Sequence, residues 1–80
     1  MEVLDLRGLK CPLPALLARR ALARTRDGGE VAILSDDPLA EIDIPYVCER
    51  EGHAVVGVER LEAGVRVLLR RGNAALRPPG

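Results

Sequence analysis

The chain contains no phenylalanine, no tryptophan and one tyrosine, Tyr46. A surface that stacks on unpaired bases therefore has almost nothing to be built from. No charge of either sign is in excess, since 12 Lys and Arg face 12 Asp and Glu. Nucleic-acid-binding domains normally carry a clear basic surplus, so direct nucleic-acid binding is not expected. One His and two Cys cannot complete a four-ligand zinc site unaided, and no metal or cofactor is expected. No apolar run approaches the ~20 residues of a membrane span.

What is present is aliphatic. Hydrophobic residues make up 48% and charged residues 30% of 80 positions, the composition of one small globular domain. A chain of this size has little room for a ligand cavity of ~300 Å³ or more, so any chemistry belongs on the surface or at an interface. The opening Met1-Glu2-Val3-Leu4-Asp5 is acidic and does not read as a secretory signal. A cytoplasmic monomer with reduced thiols at Cys11 and Cys48 is the expectation.

Periodicity divides the chain into six elements. Glu2 to Arg7 alternates Val3, Asp5 and Arg7 against Leu4 and Leu6, a short half-buried strand. A turn at Gly8-Leu9-Lys10 leads to a helix that Pro12 opens. Pro14, Leu17, Ala18, Ala21 and Leu22 share its apolar side. Glu30 to Ser35 is nearly all apolar and reads as a central strand. Pro45 argues against a helix running from Leu39, because an interior proline costs ~3 kcal/mol. The second helix is therefore placed from Asp43, a good capping residue, to Glu51, with Gly52 as its C-cap. His53–Arg60, with Ala54, Val56 and Val58 on one face, and Val65–Arg70 form a hairpin. The order is βαβαββ, an α/β (α+β) two-layer sandwich in which a four-stranded mixed sheet carries both helices on one face. The domain spans residues 1–71, and 72–80 reads as a flexible tail.

One segment concentrates chemistry. Gly8-Leu9-Lys10-Cys11-Pro12-Leu13-Pro14 puts a cysteine where a turn enters a helix. The helix N-terminus and the nearby Arg7 and Lys10 are positive, a setting that lowers a thiol's pKa. Pro12 and Pro14 stiffen the turn and remove two N–H groups that a helix start leaves unpaired. Local chemistry alone leaves Cys11 two readings: a small apolar residue under the first strand, or a nucleophile on a rigid tip.

The string Gly8 to Pro14, preceded by Leu4-Asp5-Leu6-Arg7, resembles the signature of the TusA/SirA-like sulfur carrier family. Ser35-Asp36-Asp37-Pro38, followed by Asp43-Ile44-Pro45, matches its second landmark. The similarity covers roughly residues 3 to 71. It implies a fold like the C-terminal domain of translation initiation factor 3, with strand order 1-2-4-3 and the last strand antiparallel. It also implies that Cys11 of the CPxP motif accepts a sulfane sulfur as a persulfide from a cysteine desulfurase or rhodanese and relays it to an acceptor protein. The pathways it allows include tRNA thiolation, molybdenum-cofactor maturation, selenium handling and sulfur oxidation. The alternative is a non-catalytic regulatory or protein-binding module that keeps the fold.

Around Cys11, Gly8, Pro12 and Pro14 are expected to shape the turn. Lys10, Leu13, Leu16, Arg19 and Arg20 are candidates for docking a partner. Asp36 and Asp37 end a strand on the same sheet edge as Cys11, where one is read as holding backbone N–H groups near the turn, or else as tuning the thiol or contacting a partner. Cys48 reads as core and His53 as a surface residue.

Overall fold

A computed structural model describes residues 2–72 of the protein. Its elements are β1 (Glu2–Asp5), α1 (Leu13–Ala23), β2 (Glu30–Ser35), α2 (Ala40–Glu51), β3 (Ala54–Leu61) and β4 (Gly64–Arg70). They form one four-stranded sheet in the order β1-β2-β4-β3. β1 and β2 are parallel, and β4 runs antiparallel to both β2 and β3. Both crossovers thus return α1 and α2 in the same direction, and each helix begins at the sheet edge where β1 or β2 ends.

The register explains the core. Leu4, Ile33, Val67 and Val58 lie side by side across the sheet, and Val31, Leu69 and Val55 form the next row. Residues directly opposite share a face. Ala15, Ala18, Ala21 and Leu22 of α1 and Ala40, Ile44 and Cys48 of α2 close over these rows. Small side chains on α1 let it lie close to the sheet. Leu22, Ile33, Ile44 and Leu69 are fully buried, each worth roughly 1.5–3 kcal/mol of burial. In β2 the consecutive Val31, Ala32 and Ile33 are all inaccessible, as expected of an inner strand.

Four sequence expectations are corrected. The helix α1 starts at Leu13, not Pro12, which instead occupies the cap position with its carbonyl accepting from Leu16 N–H at 3.1 Å. The helix α2 starts at Ala40 rather than Asp43. Leu39 takes the cap position, and Asp37 holds the turn that leads into the helix: its carboxylate accepts from Leu39 N–H at 3.0 Å and its carbonyl from Ala40 N–H at 3.0 Å. Pro45 sits in the second turn and withholds a donor from the Glu41 carbonyl. Burial of Ile44 and Cys48, at roughly 1.5–3 kcal/mol per large side chain, offsets the ~3 kcal/mol an interior proline costs. In β3 a bulge between Val55 and Gly57 breaks the alternation. By register Val55 and Val58 consequently stand on the face of Leu69 and Val67; Val55 packs against the core, whereas Val56 is 42% and Val58 54% exposed. His53 is buried rather than superficial, and its Nδ1 accepts from Gly72 N–H at 3.0 Å.

That last bond ties Gly72, the first residue of the expected tail, to His53; the rest of that tail, 73–80, lies outside the described residues. Gly52 ends α2 in the left-handed conformation, φ +76°, as a C-cap glycine should. No helix among the described residues is long and apolar enough to cross a membrane.

Candidate functional site

The segment from Leu6 to Leu13 leaves the end of β1 and turns sharply into α1. Gly8 supplies the positive φ, +92°, that the turn requires. Leu9 N–H returns to the Leu6 carbonyl at 3.2 Å, and Leu13 N–H to the Lys10 carbonyl at 2.9 Å. Leu9 packs onto the core from above. Pro14 is buried in the first turn of α1, where its missing N–H costs nothing. The Cys11–Pro12 peptide bond is cis.

Two carboxylates from the β2–α2 connection tie this turn down. Asp36 Oδ1 accepts from Gly8 N–H at 2.9 Å. Asp37 accepts from Cys11 N–H through Oδ2 while its Oδ1 holds Leu39 N–H. One side chain thereby joins the turn before α1 to the start of α2. These bonds hold the Asp37 carboxyl below its usual value, the Leu39 bond contributing most and the Cys11 bond next. Both aspartates hold backbone N–H groups of the turn, and the charge of Asp37 also acts on the Cys11 thiol.

Cys11 is half-buried and reduced. Its Sγ donates to Asp43 Oδ2, on the face of α2 turned towards the turn. This contact corrects the expectation of an acidified thiol. The Cys11 pKa is raised, first by the hydrogen bond to Asp43, then by burial, then by the charges of Asp43 and Asp37. The positive field expected of Arg7 is absorbed elsewhere, because its guanidinium makes a bidentate pair with Asp5 at 2.8 and 2.7 Å. Lys10 is exposed, and its charge adds the smallest of the contributions that act on Asp37.

Leu13 and Leu16 are each 46% exposed on α1, beside the turn. Leu39, just before α2, and Ile42 and Tyr46 on it stand exposed, and the helix begins at the same edge. Sequence reasoning missed this second set by starting the helix too late. Arg19 faces α2, pairing with Glu51 at 3.2 Å in a shallow groove with Tyr46, Val47 and Arg50. Arg20 is exposed in the last turn of α1, away from the cysteine. Asp43 is the site residue that sequence reasoning assigned to another task. Its signal was the Asp43-Ile44-Pro45 string at the edge shared with Cys11. Cys48 is buried, with its thiol pushed up to about 11 by that burial, and lies in the core as expected. Among the described residues no cluster of His, Cys, Asp and Glu could hold a metal ion.

The turn thus holds one cysteine between the starts of α1 and α2. The model of the family described as sulfurtransferase TusA matches residues 2–71, nearly the whole chain. The chain belongs to the TusA family. A protein from Archaeoglobus fulgidus, described as "Putative sulfur carrier protein", is 43% identical over 65 residues, covering 81% of this chain and 84% of that protein. The crystal structure of a SirA-like protein from Desulfitobacterium hafniense superposes with a TM-score of 0.79 at 27% identity, covering 91% of this chain and all of the other. The TusA-family fold, two helices on a four-stranded mixed sheet, is thus shared with a solved relative.

Proposed function

We propose that this TusA-family protein carries sulfur on Cys11. The thiolate of Cys11 attacks the outer sulfur of a donor protein's persulfide. A new S–S bond forms at Cys11 as the donor's S–S bond breaks, and the donor cysteine leaves as a thiolate. No oxidant or reductant is consumed. The loaded Cys11–S–SH then meets an acceptor nucleophile, and the same exchange runs once more in the opposite sense.

The observation that carries this reading is the placement of Cys11. It is partly exposed on a turn whose Gly8 and Cys11 N–H groups are held by Asp36 and Asp37. Transfer between two proteins needs a nucleophile that both can reach, held where thermal motion does not blur its position. The exposed Leu13, Leu16, Leu39, Ile42 and Tyr46 beside it supply apolar area for transient docking. Lys10, on the turn itself, adds charge that guides encounter. Donors of the cysteine desulfurase or rhodanese type and a protein acceptor, in the cytoplasm, complete the reading. tRNA thiolation is one pathway such a relay would feed, with the protein meeting the enzyme rather than the tRNA.

Incubation with a persulfide-loaded donor, followed by non-reducing mass spectrometry of the intact chain and its peptides, tests it. One added sulfur on the Cys11 peptide supports the reading. A Cys11→Ser variant that gains sulfur as readily as the parent overturns it. Failure of Cys11 to load, with tight association to one enzyme, would show a binding module instead.

A further inference from the structure

The resting site is arranged against reaction. A cysteine that must attack as a thiolate donates its proton to Asp43, and a second carboxylate, Asp37, lies on the backbone side of the same residue. Three charged side chains lie at this turn. Asp43 comes from α2, Asp37 from the β2–α2 connection and Lys10 from the turn itself, and the N-terminus of α1 is partly positive. Among the described residues, no ion pair engages Asp43. The arginines at this end of the sheet are committed, Arg7 to Asp5 at 2.7 Å and Arg60 to Glu41 at 2.8 Å. Among the described residues, the side-chain hydrogen bond that Asp43 makes is the one from the Cys11 thiol.

We propose that Asp43 is a positioning residue that keeps the thiol proton on Cys11 in the free protein, and that the site is completed by a cationic side chain brought by the partner. The proposal rests on Cys11 being the sulfur-carrying atom. A Lys, Arg or protonated His entering between Asp43 and Cys11 would pair with the carboxylate, take it away from the thiol and favour the thiolate. The proton then leaves to solvent or, after attack, to the departing donor thiolate. Away from a partner, the cysteine stays protonated and is slow towards oxidants and electrophiles. The acidic pair and the apolar rim of Leu13, Leu16 and Ile42 together describe the partner's contact surface: one cation set among apolar side chains.

The test separates this inference from the carrier reading. Alkylation of the parent and of Asp43→Asn by iodoacetamide is followed across pH by peptide mass spectrometry. The Cys48 peptide serves as an internal record of folding. Asp43→Asn is expected to lower the Cys11 midpoint by about one pH unit, which is about tenfold more thiolate below the midpoint. Because a more acidic thiol is a weaker nucleophile, the rate at neutral pH rises by about threefold. The cation is tested with aminoethyl and sulfonatoethyl methanethiosulfonate, which differ in charge. The cationic reagent is expected to label Cys11 about tenfold faster than the anionic one relative to their ratio on the urea-unfolded chain, and Asp43→Asn removes most of that preference. An unchanged midpoint with Cys48 still protected, or a charge preference that survives Asp43→Asn, overturns the proposal even if Cys11 loads with sulfur. A shifted midpoint in a protein that never loads upholds the Asp43 contact and overturns the carrier reading alone.

Discussion

Asp37 accepts a hydrogen bond from the backbone N–H of Cys11 although 26 residues separate them. Its other oxygen holds the N–H of Leu39. One carboxylate thus fixes both the reactive turn and the start of the helix that carries Asp43.

Replacing Asp37 should loosen both at once. In Asp37→Asn one oxygen still accepts, but the amide nitrogen meets a donor at either Cys11 or Leu39, leaving one N–H unpaired. Thermal unfolding is expected several degrees below the parent, with Asp37→Ala lower still. Sulfur loading on Cys11 should slow in the same order. Differential scanning calorimetry paired with the loading assay checks both.

Acid should erode this link in a defined direction. Asp37 is held below the ordinary carboxylate value of 3.8, and Asp5, bonded to Arg7, is lowered to about 2. The folded state therefore binds these protons less readily than the unfolded chain. Their contribution is complete above pH 3.8 and is lost as pH falls through the folded values towards about 2. Urea unfolding between pH 2 and 5 should show stability falling with acid in that window, and less steeply in Asp37→Asn.

Cys48 predicts the opposite limb. Its folded thiol is raised from 9.0 to about 11 by burial. Stability from the neutral thiol is fully present below pH 9.0 and is lost as pH rises towards about 11. Cys48→Ala should cost about 1–2 kcal/mol at neutral pH through the space it leaves, flatten the alkaline loss, and leave sulfur loading on Cys11 intact. Unfolding curves at neutral and alkaline pH decide this.

Gly64 supports the site from beneath. It opens β4 with φ +112°, and a Cβ there would stand 2.3 Å from the Ser35 carbonyl oxygen, next to Asp36. Gly64→Ala is expected to destabilise by about 2 kcal/mol or more and to displace the connection bearing Asp36 and Asp37. Amide exchange at Gly8 and Cys11 should accelerate along with global unfolding.

These effects show which parts of the molecule were readable in advance. The turn Gly8 to Pro14 carries its meaning locally, since proline and glycine restrict the backbone wherever they stand. The β2 and β4 patterns of Val31, Ile33, Val65, Val67 and Leu69 likewise announce an aliphatic sheet face. Asp43 did not, because its role is a contact 32 residues away in sequence. The rule that proline stops helices pointed to the wrong start for α2, because tertiary burial of Ile44 and Cys48 outweighed a local penalty. The bulge at Val56 and the burial of His53 belong to the same class, since each depends on how β3 meets its neighbours. The expected acidity of Cys11 failed for an electrostatic reason: a helix N-terminus a few ångströms away is outweighed by a carboxylate in direct contact.

The central claim is that Cys11 holds transferable sulfur. The most direct test loads the protein from a persulfide donor, removes the donor, and presents the loaded chain to a thiol acceptor while mass spectrometry follows the Cys11 peptide. One added sulfur that appears on Cys11, is absent from Cys48 and Cys11→Ser, and then passes to the acceptor is the predicted result. A Cys11 that stays unmodified in a folded protein, or sulfur that arrives equally on Cys11→Ser, would contradict the account.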